Sequence, residues 1–404
     1  MNVRRSAAAL AAVGVLAAAA PATAAGPSPS PKATVPSGLY GKGDPTYDGV
    51  WRQSLTLVAQ RTLGYRPAAP AVDWLTGQQC ANGAFAAYRA APDKPCDAKL
   101  KPDTNSTAAA VQALAATGGH GGAVEKAVGW LKSVQNKDGG WSYYPGDPSD
   151  ANSTSVVIGA LAAAGTDPAS VRVSGKSPYD ALPAWSVPCG RDGGGALAFQ
   201  PDEKGELTPN ADATAAGLLG ALGKGFVAGT GKAPERDGCD GADRPTRRQV
   251  ADNAGAYLAA AVGTSGHLTS TLPGAKDQPD FGNTADAVVA LAADGRGGPA
   301  RTAYAWLEKN AGPWAERSGP AAYAQLILAA HALREQPGDF GGTSLVASLN
   351  ALGPAPHMEA GGHDPAARDE KKDSKAGVWW FVGVCLVAGI GIGFLLSGRK
   401  KRGA

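Results

Sequence analysis

The chain has 404 residues, of which 44% are hydrophobic and 18% charged, and its formal net charge is +3. That apolar content excludes a wholly disordered chain, and the near balance of charge excludes a strongly basic surface for nucleic acid. Six of the positive charges sit at the ends, on Arg4, Arg5 and the run Arg399–Arg402; without them the remainder stands at −3.

Taken in chain order, Arg4 and Arg5 precede the apolar run "AAALAAVGVLAAAA" and the small residues Ala22–Ala24. This pattern predicts a secretory signal peptide over 1–25. A Pro/Ser-rich leader follows over 26–44, and then a body over 45–353. The body opens with "YDGVWRQSLTLVAQRTLG", an apolar helix. Next come "WLTGQQCANGAF" (Trp74–Phe85) and, later, "WLKSVQNKDGGW" (Trp130–Trp141), which share W-L-x3-Q-x3-G-x-[FW] without a gap. The shared positions are Trp74, Gln79, Gly83 and Phe85, then Trp130, Gln135, Gly139 and Trp141. Looser copies lie at Ala184–Gly195, Tyr257–Leu268 and Trp306–Trp314.

Each copy is followed by an Ala-rich apolar run behind polar capping residues, such as "DTNSTAAAVQALAATG" and "DANSTSVVIGALAAAG". These are helix start and stop signals, and apolar residues all round predict burial. The segments ending in the W-L motif have one charged face and are predicted to lie outside. With "TSLVASLNALG" as the last outer helix, the count is six inner and six outer helices, which make either a solenoid or a closed toroid, and six pairs is a number that closes. The aromatic residues are predicted to be joints: glycine reverses the chain, and the glutamine bonds backbone groups of a neighbouring helix end.

A polar linker over 354–377 follows the body. The segment 378–396, "VWWFVGVCLVAGIGIGFLL", is uncharged and about long enough to span a bilayer, with Trp379 and Trp380 at one edge. The basic tail over 397–404 predicts a cytoplasmic C-terminus, so the body is expected to be extracytoplasmic on a single-pass cell-membrane protein, with lipid as a partner of the spanning helix. Cys385 falls in that segment. Cys80, Cys96, Cys189 and Cys239 are left for an oxidising compartment, with three possible pairings. Cys80–Cys96 and Cys189–Cys239 are preferred because each closes one inter-helix loop.

The motif resembles the QW repeat of squalene–hopene and other terpene cyclases, shared more loosely with protein prenyltransferase β subunits, over about residues 45–353. The resemblance implies an (α/α)6 toroid with a ligand cavity along the inner barrel. The Asp-x-Asp-Asp acid motif of class II terpene cyclases does not occur in this chain. The zinc triplet of the prenyltransferases has one counterpart, Asp237-Gly238-Cys239, with His331 as a weak third candidate. The aromatic residues that follow it in that family are replaced, so no metal and no cofactor is expected, and both absences weigh against catalysis.

Parallel inner helices would gather their N-termini at one mouth, where partial positive charge favours an anion. The residues predicted there are Asp103, Asn105, Ser106, Asp150, Asn152, Ser153, Asn210, Asp212, Asn283, Thr284 and Asp286, each of a type that also caps helices. Tyr143 and Tyr144, with Tyr88, Tyr179, Trp185 and Phe199, are candidates for a cavity wall or rim. The sequence therefore points to a surface-anchored protein binding a small amphiphilic molecule, isoprenoid- or corrinoid-like, for a membrane transporter. An enzyme of terpene, prenyl or polysaccharide chemistry and a non-catalytic envelope scaffold remain the alternatives.

Overall fold

The computed structural model describes residues 36–358, except 243, 264 and 271–276. The predicted signal peptide, spanning segment and basic tail lie outside the described residues, as do most of the leader and linker. Among the described residues no helix is long and apolar enough to cross a membrane.

The described chain is helical, in the order α1 (Gly49–Thr62), α2 (Ala69–Gly77), α3 (Thr104–Thr117), α4 (Gly121–Ser133), α5 (Ala151–Ala163) and α6 (Pro178–Ala181). Then come α7 (Ala211–Leu222), α8 (Arg247–Gly263), α9 (Phe281–Ala293), α10 (Gly297–Asn310), α11 (Gly312–Ser318), α12 (Pro320–Leu333) and α13 (Leu345–Asn350). Helix α1 packs on α3, α3 on α5, α5 on α7, α7 on α9, α9 on α12, and α12 returns to α1. These six form a closed inner ring; α2, α4, α6, α8 and α10 stand between them in the chain and α13 follows the last as the outer set, with the short α11 between α10 and α12. The third outer position is the short one: only α6 and a 3-10 turn over Leu182–Trp185 occupy it. Pro183 lies inside that stretch, which also lacks the long amphipathic run of α4.

The inner helices run parallel, because neighbours meet end to like end. Near the N-termini, the Thr104 N–H donates to the carbonyl of Tyr143, just ahead of α5, and the Ala151 N–H donates to Phe199, ahead of α7. Near the C-termini, Arg61 of α1 donates to the Ala116 carbonyl of α3.

One joint recurs at the N-terminus of four inner helices. The residue that closes the preceding loop (Phe85, Trp141, Leu197 or Leu268) is buried. Its N–H donates to the hydroxyl of Thr107, Thr154, Thr214 or Thr284, at 2.9, 2.9, 2.9 and 3.0 Å respectively. Its carbonyl accepts the N–H of Asp103, Asp150, Asn210 or Asp280. Buried backbone groups at a helix start are costly when unpaired, and the joint pairs both of them. The Thr four residues after the cap is a repeat signature more regular than the aromatic one.

The glutamines of the W-L motif tie each loop to the next outer element. Gln79 Nε2 donates to the carbonyls of Gly83 and Ala123, at 3.0 and 2.8 Å. Gln135 Nε2 donates to Gly139 and Val171, at 2.7 and 3.3 Å. Gly83 and Gly139 have φ of 94° and 93°, and a Cβ at either would collide with the carbonyl of Lys126 or Ser177. Trp141 is fully buried, its indole N–H bonded to the Leu131 carbonyl at 2.7 Å. Trp74 and Trp130 are also buried.

The ring is closed by residues on either side of 45–353. Tyr40 is fully buried, and its N–H donates to Gln53 Oε1 on α1 at 2.9 Å. Its hydroxyl donates to the Pro354 carbonyl and accepts from Gln60. The Gly41 N–H donates to the Leu352 carbonyl. Strand β1 (Tyr65–Arg66) pairs antiparallel with β2 (His357–Met358). Residues 38–41 thus complete the last repeat from the other end of the described chain. The disulfides join Cys80 to Cys96 and Cys189 to Cys239.

Candidate functional site: the mouth of the ring

Most inner-helix residues are buried, and away from the helix ends few are partly exposed. In the first two to three turns these include Asn152 and Val156 on α5, and Asp212, Ala216 and Leu219 on α7. Such i, i+4, i+7 spacing is a single helix face, here the one turned to the ring axis. Asn105 on α3, Trp51 on α1, Asp286 on α9 and Gln325 on α12 belong to the same lumen-facing set and are likewise partly exposed.

Asn105, Asn152 and Asp212 sit two residues after their caps and form part of the rim. Asp286 and Gln325 stand about one helical turn, roughly 5 Å, further in. Neighbouring helices are linked through these side chains. Asn152 Nδ2 donates to Asp212 Oδ2 at 2.7 Å, and Gln325 Nε2 donates to both carboxylate oxygens of Asp286, at 3.2 and 3.1 Å.

Burial raises the Asp212 carboxyl to about 6, with Asp280 adding to the rise against the Asn152 bond. Burial, then the charge of Asp212, raises Asp286 to about 7. No cation is among the groups acting on either. Two carboxyls poised near neutrality, each on an amide, can accept hydrogen bonds from a hydroxyl or an ammonium group, or hold a proton.

The lumen has a floor. The loop after α7 enters the ring about 10 Å below the rim, seven residues along the helices at 1.5 Å each. There the Phe226 N–H donates to Gln112 Oε1 of α3 at 2.8 Å. A Cβ on Gly159 of α5 would come within 2.7 Å of the Gly225 Cα. The Phe226 ring meets Trp51 edge-to-face, with centroids 5.4 Å apart.

The other predicted mouth residues have structural work. Asp103 and Asp150 are buried caps that accept from the Ser106 and Ser153 N–H groups at 2.6 and 2.7 Å, and burial raises them to about 7 and about 6. Asn210 caps α7 through the Ala213 N–H. Asn283 is not a cap but is held by Asp280, which is the cap of α9. Thr284 is the joint hydroxyl. Tyr143 and Tyr144 pack edge-to-face, with Lys101 over the Tyr144 ring. Burial and the nearby Asp103 raise the Tyr143 hydroxyl.

At α3 and α5 the first-turn N–H groups of Thr104, Ser106, Ala151 and Ser153 are taken by caps and by carbonyls of the next repeat. The weak zinc triplet does not assemble: Cys239 is in a disulfide with Cys189, Asp237 pairs with Arg296 at 2.9 Å, and His331 is a partly buried residue on α12 with its pKa lowered by burial. A disulfide sulfur offers no thiolate. Among the described residues no three metal-ligating side chains gather.

Trp51, Phe226 and Gln325 were missed by the sequence reading. A Gln on an otherwise apolar inner helix was the available signal for Gln325; nothing local marked Phe226.

No family model matches this chain, and no curated protein matches it. Among solved structures, an ent-copalyl diphosphate synthase from Streptomyces platensis is 16% identical, covering 70% of this chain and 50% of its own length, with a TM-score of 0.46. A sugar epimerase from a ruminal bacterium is 14% identical over 73% of this chain and 92% of its own, at a TM-score of 0.48. A protein from Actinoplanes is 19% identical over 74% and 80%, at 0.45. These are distant likenesses, and the closed ring rests on its own helix contacts.

Proposed function

We propose that the ring mouth binds a small amphiphilic molecule. Its polar head is held by Asn152, Asp212, Asp286 and Gln325, and its apolar part lies against Trp51, Val156, Ala216, Leu219 and Phe226. The observation that carries this reading is the convergence of partly exposed polar side chains from four consecutive inner helices, at the rim and about one turn further in, beside the partly exposed Trp51, Val156, Ala216, Leu219 and Phe226. Concave apolar sites with a few convergent polar groups are the usual form of small-molecule sites. Carboxylates without a companion cation favour a hydroxylated or cationic head over a bare diphosphate. Held outside the cell by the predicted anchor, such a site would present its ligand to a membrane transporter.

The test is native mass spectrometry of the purified full chain, followed by denaturing analysis of whatever it releases. The expected result is a stoichiometric small molecule lost in the D212N/D286N double variant. A bare polypeptide that stays bare after incubation with alkylamines and isoprenoid alcohols would overturn the reading.

A second reading rests on the raised carboxyls themselves. Two acids near neutrality on adjacent helices can divide the work of giving and taking a proton, as terpene-type or polysaccharide chemistry requires. Conversion of the released molecule to a product, abolished in D286N, would favour the enzyme; its unchanged recovery would favour binding alone.

A further inference from the structure

We infer that a notch in the rim at Gly282 seats the sugar ring of a glycosidic head group, with the Trp314 indole as its platform; the inference rests on the binding reading above. The rim position two residues after the cap carries Asn105 on α3, Asn152 on α5 and Asp212 on α7, but on α9 it carries Gly282. Gly282 is partly exposed and lies one turn nearer the rim than Asp286, on the same helix face. A Cβ there would stand 3.7 Å from Trp314 Cζ2 and 3.8 Å from both polar atoms of the Gln325 amide, in ordinary contact. Glycine thus leaves a gap in the rim between an indole, the Gln325 amide and the Asp286 carboxyl that this amide bonds.

Trp314 reaches this point from the short α11, which belongs to neither helix set. Unlike the fully buried Trp141, Trp306 and Trp314 are partly exposed, and neither is a joint residue. They lie in a stack of four near-parallel rings. His267 rests on Trp306 with centroids 4.2 Å apart, Trp306 on Phe281 at 5.1 Å, and Phe281 on Trp314 at 5.6 Å. The stack fixes the plane of Trp314 before a ligand arrives, so little ordering entropy is lost on binding.

The chemistry around the notch selects a sugar. A pyranose has an apolar face of C–H groups that packs flat on an indole, and those hydrogens are drawn to the negative face of the ring. Each of its hydroxyls both donates and accepts. The polar groups here are planar pairs of that mixed kind. Gln325 lies on Asp286, and the next pair along the rim is Asn152 on Asp212. The buried Asn152 Oδ1 has no hydrogen-bond partner among the described residues. An ammonium ion only donates, so it leaves the amide N–H groups unused, and a bare aromatic head satisfies none of these groups.

The experiment uses the full chain in nanodiscs, titrated calorimetrically with the methyl pyranosides of glucose, galactose and mannose, and separately with n-hexylammonium, with empty discs subtracted. The wild type is expected to bind at least one pyranoside saturably, and Trp314→Ala to weaken that binding about tenfold. Gly282→Leu fills the notch without removing a polar group. It is expected to abolish the binding while melting no lower than the wild type, because glycine is a poor helix former. The leucine variant keeps the test decisive if loss of the indole unfolds the protein. A pyranoside bound equally by the wild type and either folded variant overturns the inference. So does a wild type that binds hexylammonium and no pyranoside, a result that leaves the binding reading standing. Absence of saturable binding of every probe overturns both.

Discussion

Replacing Thr154 by Val tests the joint that organises the inner ring. The Thr154 hydroxyl accepts the Trp141 N–H at 2.9 Å, and both residues are buried. Valine keeps the shape of the side chain and removes the acceptor. The Trp141 carbonyl stays satisfied, because it also accepts from the Asp150 N–H at 2.9 Å. What is stranded is a single buried N–H, a loss of about 2 kcal/mol within a usual span of roughly 1–3. Unfolding a domain of roughly 320 residues has an entropy near 0.7 kcal/mol/K, so the melting temperature should fall by about 3 °C. Thr154→Ser keeps the hydroxyl and loses one methyl, costing about 1 kcal/mol and roughly 1.5 °C. Differential scanning calorimetry of the three proteins decides the matter. If the Val variant melts with the wild type, or the Ser variant melts at or below it, the hydrogen bond is not what holds the joint.

Asp103, Asp150, Asp212 and Asp286 have carboxyls raised above their ordinary value to between about 6 and about 7, so the folded state keeps protons that the unfolded chain releases near pH 4. Their contribution to stability therefore falls as pH rises from about 4 through 7; melting at pH 8 should lie below melting at pH 5, with the gap narrowed in Asp286→Asn, and an unchanged gap would count against a raised Asp286. The Cys189–Cys239 bridge closes 50 residues and Cys80–Cys96 closes 16. Loop entropy assigns them about 4 and about 3 kcal/mol, so removing the longer bridge should lower the denaturation midpoint more, and the reverse order would refute that account. Tyr40→Ala removes a fully buried ring from the ring closure and should cost about 3–5 kcal/mol, with faster amide exchange at Tyr65 and Met358, where β1 meets β2; exchange at those strands unchanged would show the closure to be held elsewhere.

The alternation of amphipathic and all-apolar helices was legible in the sequence because it depends only on residue period and caps. Segments such as "DANSTSVVIGALAAAG" carry their own start signal, and burial on all sides is written in their composition. The W-L-x3-Q-x3-G-x-[FW] copies marked two of the joints for the same local reason. Where the pattern weakened, at Ala184–Gly195, the outer helix shrank to α6 and a 3-10 turn. The candidate site was only half legible. Asp103, Asn152 and Asp212 carry the same capping chemistry in the sequence, yet the first is a buried cap and the other two bond to each other between adjacent inner helices.

The sequence by itself determined the helices, their inner or outer side, the cysteines available for pairing and the polar residue types at the inner N-termini, because each follows from composition and spacing within about twenty residues. Only the tertiary structure decided that Tyr40 closes the ring from 314 residues away from Pro354. Only it placed Asp286 beside Gln325, and Phe226 on Gln112 and Trp51 as a floor. Those contacts join separate repeats, and a side chain's role there depends on which distant backbone reaches it. No local preference encodes that.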